Sequence, residues 1–309
     1  MKKNSKVYVA GHKGMVGSAI CRKLIAEGFT NLITKTHGEL ALDRQEQVES
    51  FFAKEKPEYV ILCAAKVGGI MANSTYKAEF YYQNAMIAQN VIHSSYKNGV
   101  KKLINLGSSC IYPKLAPQPL KEEYLLTGPL EPTNDAYAIA KISAIKMCDY
   151  YNKQYGTNFI SVMPTNLYGK NDNYDLDSSH VFPAMIRKFH EAKISGQKIT
   201  LWGSGAPLRE FMFSDDLADC VYHLLSQYNA NEIGEFVNIG TGKDISIKEL
   251  AELIKQIIGF QGDIDWDSKK PDGTFQKLLD VTKLNSLGWK EKTSLKEGIT
   301  QVYLDYMRN

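Results

Sequence analysis

Short apolar runs alternate along the first half of the chain with longer segments in which apolar residues recur every three or four positions. The short runs are typical of buried parallel strands and the longer segments of amphipathic helices. Strands are predicted at residues 7–10, 32–34, 59–63, 102–106 and 159–163. Helices are predicted at residues 15–27, 45–54, 78–98 and 137–155. This alternation predicts a parallel sheet covered by helices on both faces.

Beyond about residue 165 the pattern loosens, and loops rich in Asn, Asp, Gly and Pro separate four further helical segments. These helices are predicted at residues 182–194, 216–228, 246–258 and 295–307. The fold class is therefore predicted as α/β, with a Rossmann-type doubly wound sheet and a smaller C-terminal α/β lobe. We expect residues 1–165 to bind a nucleotide and residues 166–309 to form mainly a substrate lobe, with chain crossings between them.

A glycine-rich turn joins the first predicted strand to the first helix. Gly11, Gly14 and Gly17 follow a Gly-x-x-Gly-x-x-Gly spacing. Glycines at such a turn let backbone N–H groups approach a diphosphate at the helix N-terminus. An ordinary glycine turn is the alternative, and the strand–helix context favours a dinucleotide site.

The end of the second strand bears on the choice of cofactor. An NAD site usually places a carboxylate there, about 20 residues after the glycine turn, to hold the ribose 2′-hydroxyl. Residues 35–37 here are Lys, Thr and His. Lys13 and Lys35 could instead face a 2′-phosphate, which favours NADPH. The alternative is that both lysines are simply solvated.

Tyr137 and Lys141 are four residues apart in a predicted helix and therefore lie on one face. A nearby ammonium is expected to lower the pKa of the phenol, and such a tyrosine can exchange a proton with an alcohol or ketone oxygen. The segment at 107–113 carries Ser108 and Cys110 at the end of the fourth strand. If that segment is extended, both side chains face the same side.

The bulk composition narrows the class of protein. The 309 residues are 44% hydrophobic, which is enough for a sizeable core. The net charge is only +3, so the composition does not indicate a nucleic-acid-binding protein. No apolar run approaches the roughly 18 residues of a membrane span, and no targeting segment is expected. The five cysteines are scattered, without a Cys-x-x-Cys pair. We therefore predict no metal site and no disulfide framework, in a reducing cytoplasm.

Several motifs together resemble the extended short-chain dehydrogenase/reductases over nearly the whole chain. The segments at 106–113 and 162–169 are far more specific than the glycine turn. The matching stretches are residues 10–20, 64–70, 106–113, 130–134, 137–141, 162–169, 179–181, 202–205, 209–211 and 271–273. Within that family the chain looks most like enzymes that act on GDP-4-keto-6-deoxy sugars.

The resemblance implies NADPH-dependent conversion of GDP-4-keto-6-deoxy-D-mannose to GDP-L-fucose, by epimerisation at C3 and C5 and reduction at C4. Ser108, Tyr137 and Lys141 would be the reduction triad. Cys110 would be the base and His180 the acid of the epimerisation. A buried apolar cysteine and a structural histidine are the alternatives for these two residues.

The resemblance also implies binding residues and an assembly. The NADP(H) contacts would be Gly11, Lys13, Gly14, Met15, Val16, Gly17, Lys35, Ala64, Ala65, Leu106, Gly107, Lys141, Pro164, Asn166, Leu167 and His180. The GDP-sugar contacts would be Ser108, Lys188, Trp202, Arg209 and Asp272. Lys188 stands where the family often has Arg, which keeps the charge and loses the forked geometry. Helices 78–98 and 137–155 would pair in a homodimer.

Three other interpretations stay open at the level of sequence. A sister enzyme could reduce another GDP-4-keto sugar, such as a 6-deoxy-heptose, with or without epimerisation. An isomerase could keep its nicotinamide tightly bound, although Cys110 and His180 argue against it. A non-catalytic nucleotide sensor is disfavoured because the Ser, Tyr and Lys set is intact.

Overall fold

The computed structural model describes residues 1–176, 178–270 and 272–308 of the chain. The strands are β1 (Val7–Ala10), β2 (Leu32–Ile33), β3 (Tyr59–Leu62), β4 (Lys102–Leu106), β5 (Phe159–Pro164), β6 (Asn166–Tyr168), β7 (Ile199–Trp202), β8 (Leu208–Phe213), β9 (Val237–Ile239), β10 (Asp244–Ser246), β11 (Ile264–Asp267) and β12 (Gln276–Lys277). The helices are α1 (Met15–Ala26), α2 (Gln45–Glu55), α3 (Ile70–Thr75), α4 (Lys77–Lys97), α5 (Asp135–Tyr155), α6 (Val181–Ser195), α7 (Ser214–Gln227), α8 (Ala230–Ile233), α9 (Ile247–Ile258), α10 (Thr282–Ser286) and α11 (Leu295–Tyr306).

Six strands form one parallel sheet in the order β2-β1-β3-β4-β5-β9. The residues of β1, β4 and β5 are all buried, as expected for short apolar runs covered on both faces. The chain adds β2 on one side of β1 and then crosses to add β3 on the other. This reversal beside β1 is the place where open α/β sheets bind their ligands.

Helices cover both faces of this sheet. On one face α1 and α7 pack against a core that includes Val9, Ile20 and Leu217. On the other face α2, α4 and α5 pack against a core that includes Tyr8 and Phe52. The predicted Rossmann-type fold is confirmed, and the five predicted strands and four predicted helices of the first half all form within two residues of their predicted ends.

The second lobe is built around β8, which pairs with β6, β10 and β12. A separate parallel pair, β7 and β11, lies in the same half of the chain. A third core, which includes Tyr168, Phe189 and Ile254, joins α6, α9 and α11 to these strands. The sequence patterns predicted the four long helices of this lobe, whereas its short strands were missed. The chain also returns to the large sheet through β9, which pairs with β5.

The structure also bears on two expectations about the whole chain. Within residues 1–176, 178–270 and 272–308, no helix has both the length and the apolar content needed to cross a membrane. All five cysteines are free. Of the motif at 271–273, Pro271 lies outside the described residues.

Candidate active site

The glycine turn lies where the sheet reverses, between the carboxyl ends of β1 and β3. Gly11 has φ +85°, and a Cβ there would lie 2.8 Å from the backbone nitrogen of Ala64. A Cβ on Gly17 would overlap the Gly11 carbonyl oxygen. Both positions therefore need glycine, because the turn packs directly on the start of α1 and on the end of β3.

The start of α1 is suited to a diphosphate. Gly14 precedes the helix, and no side chain of the described residues caps it. The N–H groups of the first turn, which include those of Met15 and Val16, are therefore free for an anion at the positive end of the helix. Lys13 is exposed beside this turn. The residues present thus fit a dinucleotide, with the predicted Ala64 and Ala65 directly after β3.

The region after β2 holds a carboxylate that the sequence analysis overlooked. Lys35 Nζ lies 3.9 Å from Glu39 Oε1. The backbone N–H and the hydroxyl of Thr36 donate to Glu39 Oε2 over 2.8 Å and 2.7 Å. Residues 35–37 contain no acid, yet the chain folds Glu39 back onto them. Both a cation and a carboxylate are therefore available near the predicted ribose position.

The end of β4 and the first two turns of α5 bring the predicted reduction residues together. Lys141 is buried, and its ammonium donates to the Leu106 carbonyl over 2.7 Å. The Lys141 nitrogen lies 5.7 Å from the centre of the Tyr137 ring. Ser108 follows Gly107, whose missing side chain leaves room for Met163. The Met163 sulfur accepts the Ser108 N–H over 3.0 Å, which fixes the backbone at the serine.

The charge states in this group differ from the expectation for Tyr137. Burial raises the pKa of the Tyr137 phenol, and nearby Cys110 adds to this while the Ser108 hydroxyl opposes it. Burial also lowers the pKa of Lys141 to about 8. The expected lowering of the tyrosine pKa by Lys141 is therefore wrong for the protein without ligands. At neutral pH Tyr137 is a protonated phenol, which suits a proton donor better than a proton acceptor.

Cys110 lies next to Ser108, although not for the predicted reason. Residues Ser109–Ile111 form a 3₁₀ turn that begins after Ser108, so the segment is not extended there. The Cys110 N–H donates to the Ser108 hydroxyl oxygen over 3.5 Å, which keeps the two residues together. Burial raises the pKa of the Cys110 thiol, while Lys277, the Ser108 hydroxyl and Lys141 all act to lower it.

His180 immediately precedes α6, as the sequence predicted for a loop residue of the second lobe. The residue as a whole is exposed, but its ring is desolvated by the surrounding protein. That desolvation and the nearby Lys277 ammonium lower the pKa of the imidazole. The loop before it contacts the segment after β3, because the Gly69 N–H donates to the Ser178 carbonyl over 3.3 Å.

The predicted GDP-sugar residues lie on neighbouring parts of the second lobe. Trp202 at the end of β7 is 57% exposed, and the Lys270 ammonium lies 4.9 Å from the centre of its ring. The Asp272 carboxylate accepts the Ser204 N–H over 2.7 Å, and it faces Arg209 on β8. The Arg209 guanidinium donates to its own strand at Leu208 O over 2.8 Å. These positions form one polar surface of the lobe.

Lys188 occupies a different setting. Its ammonium donates to the Thr200 carbonyl on β7 over 3.2 Å, and desolvation lowers its pKa. It therefore reaches the strand that ends at Trp202, from the side of α6.

The last predicted cofactor contacts lie where the two lobes meet. Pro164 ends β5, and Asn166 and Leu167 begin β6. The Asn166 amide donates to the backbone carbonyl of Glu210 over 2.8 Å. The buried Glu210 carboxylate in turn accepts the N–H groups of Gly242 and Leu279 over 2.8 Å and 3.0 Å. This residue ties β8 to the loops that follow β9 and β12.

Lys277 is the site residue that the sequence analysis missed. It is on β12 opposite Arg209, and it lines one cavity with Cys110 and Glu131. Its charge lowers the pKa of Cys110 and of His180, while the Arg209 charge and burial lower the pKa of Lys277 itself. Only its position five residues after Asp272 could have drawn attention to it. The described residues therefore bring together a buried tyrosine, a thiol, a histidine and two lysines, and a glycine turn that fits a dinucleotide follows β1 of the same sheet.

Comparisons with known proteins agree with this arrangement. The sequence model of the NAD dependent epimerase/dehydratase family matches residues 7–240. GDP-L-fucose synthase 1 of Arabidopsis thaliana is 58% identical over 99% of this chain and 94% of that protein. GDP-L-fucose synthase of Escherichia coli K12 is 50% identical over 98% of this chain and 97% of that protein.

A solved structure is also similar over almost the full length. It is MlghC, a GDP-mannoheptose C4 reductase from Campylobacter jejuni with NADP bound. It is 44% identical, covers 99% of each chain and has a TM-score of 0.93. The chain is thus similar both to proteins named as GDP-L-fucose synthases and to a GDP-mannoheptose C4 reductase.

Proposed function

This chain belongs to the NAD dependent epimerase/dehydratase family, and from that premise we propose that it makes GDP-L-fucose from GDP-4-keto-6-deoxy-D-mannose. It epimerises C3 and C5 of the sugar and then reduces the C4 ketone. NADP(H) is the cofactor, in line with the NADP bound by the C. jejuni relative. The relatives named as fucose synthases, at 50% and 58% identity over nearly the whole chain, support this function over the alternatives.

The single observation that carries the proposal is the position of Cys110 beside the reduction triad. Its N–H donates to Ser108 Oγ over 3.5 Å, and its thiol interacts with Tyr137 and Lys141. A group that moves protons on carbon is needed only for epimerisation. Its position next to the proton donor for O4 places both reactions on one sugar ring.

Reduction uses the residues of β4 and α5. NADPH, when bound in the glycine turn, supplies the hydride for C4. The Tyr137 phenol is protonated at neutral pH because burial raises its pKa, so it can donate a proton to O4. The Ser108 hydroxyl donates to the same oxygen and holds the ketone against Tyr137. The Lys141 ammonium, held by Leu106 O, stabilises the negative charge that builds up on this oxygen.

Epimerisation uses the same ketone. Cys110 as thiolate removes a proton from C3 or C5, and the electron pair moves to O4. The Ser108 and Tyr137 donors stabilise that enolate. His180 then returns a proton to the opposite face. A lowered imidazole pKa makes the protonated ring a stronger acid toward carbon, which suits this role.

The test is to incubate the enzyme with GDP-4-keto-6-deoxy-D-mannose and NADPH in D₂O. We expect NADPH consumption, deuterium at C3 and C5, and a GDP-L-fucose product by mass spectrometry and NMR. A reduced product without deuterium at these carbons would exclude the epimerase function and leave a reductase.

A second candidate is C4 reduction of another GDP-4-keto-6-deoxy sugar such as a heptose. The 44% identity and TM-score of 0.93 to the C. jejuni GDP-mannoheptose C4 reductase favour it. Competition between the hexose and heptose ketones for the same enzyme distinguishes the two. A larger kcat/KM for the heptose would reverse the assignment.

A homodimer in a reducing cytoplasm is the proposed setting. Tyr81 and Tyr82 on α4 and Ile139 and Tyr150 on α5 are 46%, 53%, 48% and 59% exposed. An apolar surface of this kind on two packed helices suits a four-helix interface between two copies. Light scattering should give a dimer, and the Tyr82→Glu/Tyr150→Glu variant a monomer. Five free cysteines suit a reducing compartment.

A further inference from the structure

A small cavity beside the catalytic centre brings a thiol and a lysine together. Cys110, Glu131, Lys114 and Lys277 line it. Cys110 reaches it from the 3₁₀ turn after β4, and Lys277 reaches it from β12 of the second lobe. Cys110 is only 7% exposed, so a charge on its sulfur is poorly solvated and depends on neighbouring groups.

Lys277 is the cation of this cavity that has no carboxylate within 4 Å among the described residues, although Glu131 attracts it from a longer distance. Lys114 Nζ lies 3.0 Å from Glu131 Oε2, so these two charges neutralise each other. Arg209 faces Asp272. The backbone of Lys277 pairs with β8, but among the described residues its ammonium makes neither a hydrogen bond nor an ion pair within 4 Å. A desolvated ammonium without a counter-ion is costly, and a thiolate beside it would relieve that cost.

The other charged and titratable groups that face this pair come from four elements and one loop. Lys141 and Tyr137 face the thiol from α5, and the Ser108 hydroxyl faces it from the end of β4. His180, Arg209 and Glu131 face Lys277 from the start of α6, from β8 and from the loop before α5. Lys141 is already held by Leu106 O, which leaves Lys277 as the cation free to pair with sulfur.

We propose that the Lys277 ammonium is the counter-charge that keeps Cys110 ionised for proton abstraction, an inference that rests on the proposed epimerase function. In that step an S–H bond forms as the C–H bond beside the C4 ketone breaks, and the electron pair moves to O4. His180 then gives its proton to carbon, and the thiol returns its proton to solvent. Lys277 acts through Cys110 as a positioning residue.

The direct test is the ultraviolet thiolate titration of the substrate-free enzyme, taken as a difference from Cys110→Ser. Removal of one adjacent positive charge in Lys277→Met should raise the titration midpoint of Cys110 by about one pH unit or more. Lys277→Arg keeps the charge and should stay near the wild type. An unchanged midpoint in folded Lys277→Met would overturn the proposal. Lys283→Met is the matched control, because this half-buried lysine donates to Phe236 O instead.

The kinetic test follows deuterium incorporation at C3 and C5 across pH. In Lys277→Met we expect about tenfold slower exchange at neutral pH, with recovery as the pH rises past the new thiol midpoint. A lysine that only bound the GDP diphosphate would raise KM at every pH without restoring exchange at high pH, which would contradict the proposal. These measurements distinguish failure of this proposal from failure of the proposed epimerase function. If the enzyme is not an epimerase, the wild type would show no deuterium exchange, while the difference in thiol titration between the variants would remain.

Discussion

Ser108, Tyr137 and Lys141 all come from the end of β4 and from α5, whereas Cys110, His180 and Lys277 come from a 3₁₀ turn, a helix start and a short strand. The first group, which we call the reduction half, is anchored on the large parallel sheet. The second, which we call the epimerisation half, is assembled across two lobes. In the proposed mechanism, hydride transfer would therefore depend on elements of the sheet, and proton transfer at carbon on contacts between the two parts of the chain.

This difference in construction has a chemical counterpart. In the reduction half, burial favours the protonated phenol of Tyr137, which is the form that donates. In the epimerisation half, burial favours the Cys110 thiol, which is the inactive form of a base. In the proposed mechanism, burial therefore favours the working form of Tyr137, whereas Cys110 would need a nearby cation to act as a base. Variants that separate the two chemistries test this contrast.

The largest effect is expected for Tyr137→Phe, which removes the proton donor and keeps the ring. We expect kcat for reduction to fall by about 10²–10⁴-fold. Deuterium exchange should persist at a reduced rate, because Ser108 still donates to O4. NADPH oxidation and product analysis in D₂O measure both.

Tyr222→Phe is the control, since this tyrosine is on α7, where its hydroxyl accepts a hydrogen bond from Lys3 and its ring packs against Phe29. Near wild-type reduction by Tyr137→Phe would remove this residue from the mechanism.

The reciprocal variant is Cys110→Ser. A serine hydroxyl is a far weaker base, so we expect exchange at C3 and C5 to fall by about 10²-fold or more. Slow reduction of the unepimerised ketone should continue and give a D-manno or D-talo product. His180→Gln should allow some exchange but little inversion. NMR of the products in D₂O checks both, and normal exchange with an L-fuco product from Cys110→Ser would refute the epimerisation half.

The third prediction concerns pH and the reduction half. The folded-state pKa of Lys141 is about 8. The ammonium is therefore lost as the pH rises through this value, and kcat/KM for reduction should fall on the alkaline side. Lys141→Arg should move that decline to higher pH. If kcat/KM declines at the same pH in Lys141→Arg as in the wild type, the decline reports the titration of another group.

The contribution of Lys141 to the free energy of unfolding should increase over the pH range in which kcat/KM for reduction falls. Because the pKa of Lys141 is lowered from 10.5 to about 8, the unfolded chain binds more protons than the folded enzyme between these values. Lys141 by itself therefore makes folding more favourable as the pH rises through this window. Thermal unfolding measured alongside the rates distinguishes titration from loss of the fold.

The reduction half was predictable from the sequence because its residues are close along the chain. The four-residue spacing of Tyr137 and Lys141 fixes a shared helix face, and the glycine turn marks the start of α1. The strands of the large sheet were equally clear because each is a short apolar run.

The rest depends on contacts between distant residues. Lys277 ends a two-residue strand that is too short for any periodicity, and it shares a cavity with Cys110 only because the second lobe folds against the turn after β4. Residues Ser109–Ile111 form a 3₁₀ turn instead of the expected extended segment. Cys110 lies next to Ser108 because its backbone N–H donates to the serine hydroxyl oxygen. Glu39 entered the cofactor region by folding back onto Thr36, which no local pattern indicated.

The smallest effect is expected for cofactor choice, which acts on the reduction half alone. Lys13 and Lys35 favour a 2′-phosphate, whereas Glu39 could accept a hydrogen bond from an unphosphorylated ribose. Lys13→Ala should lower the preference for NADPH over NADH by about tenfold or less, and Glu39→Gln should raise it. Exposed Lys54, on α2, supplies the control Lys54→Ala. Neither change should alter deuterium exchange measured with NADP⁺ bound. Equal kcat/KM for the two cofactors in the wild type would show that Glu39, rather than the lysines, governs this pocket.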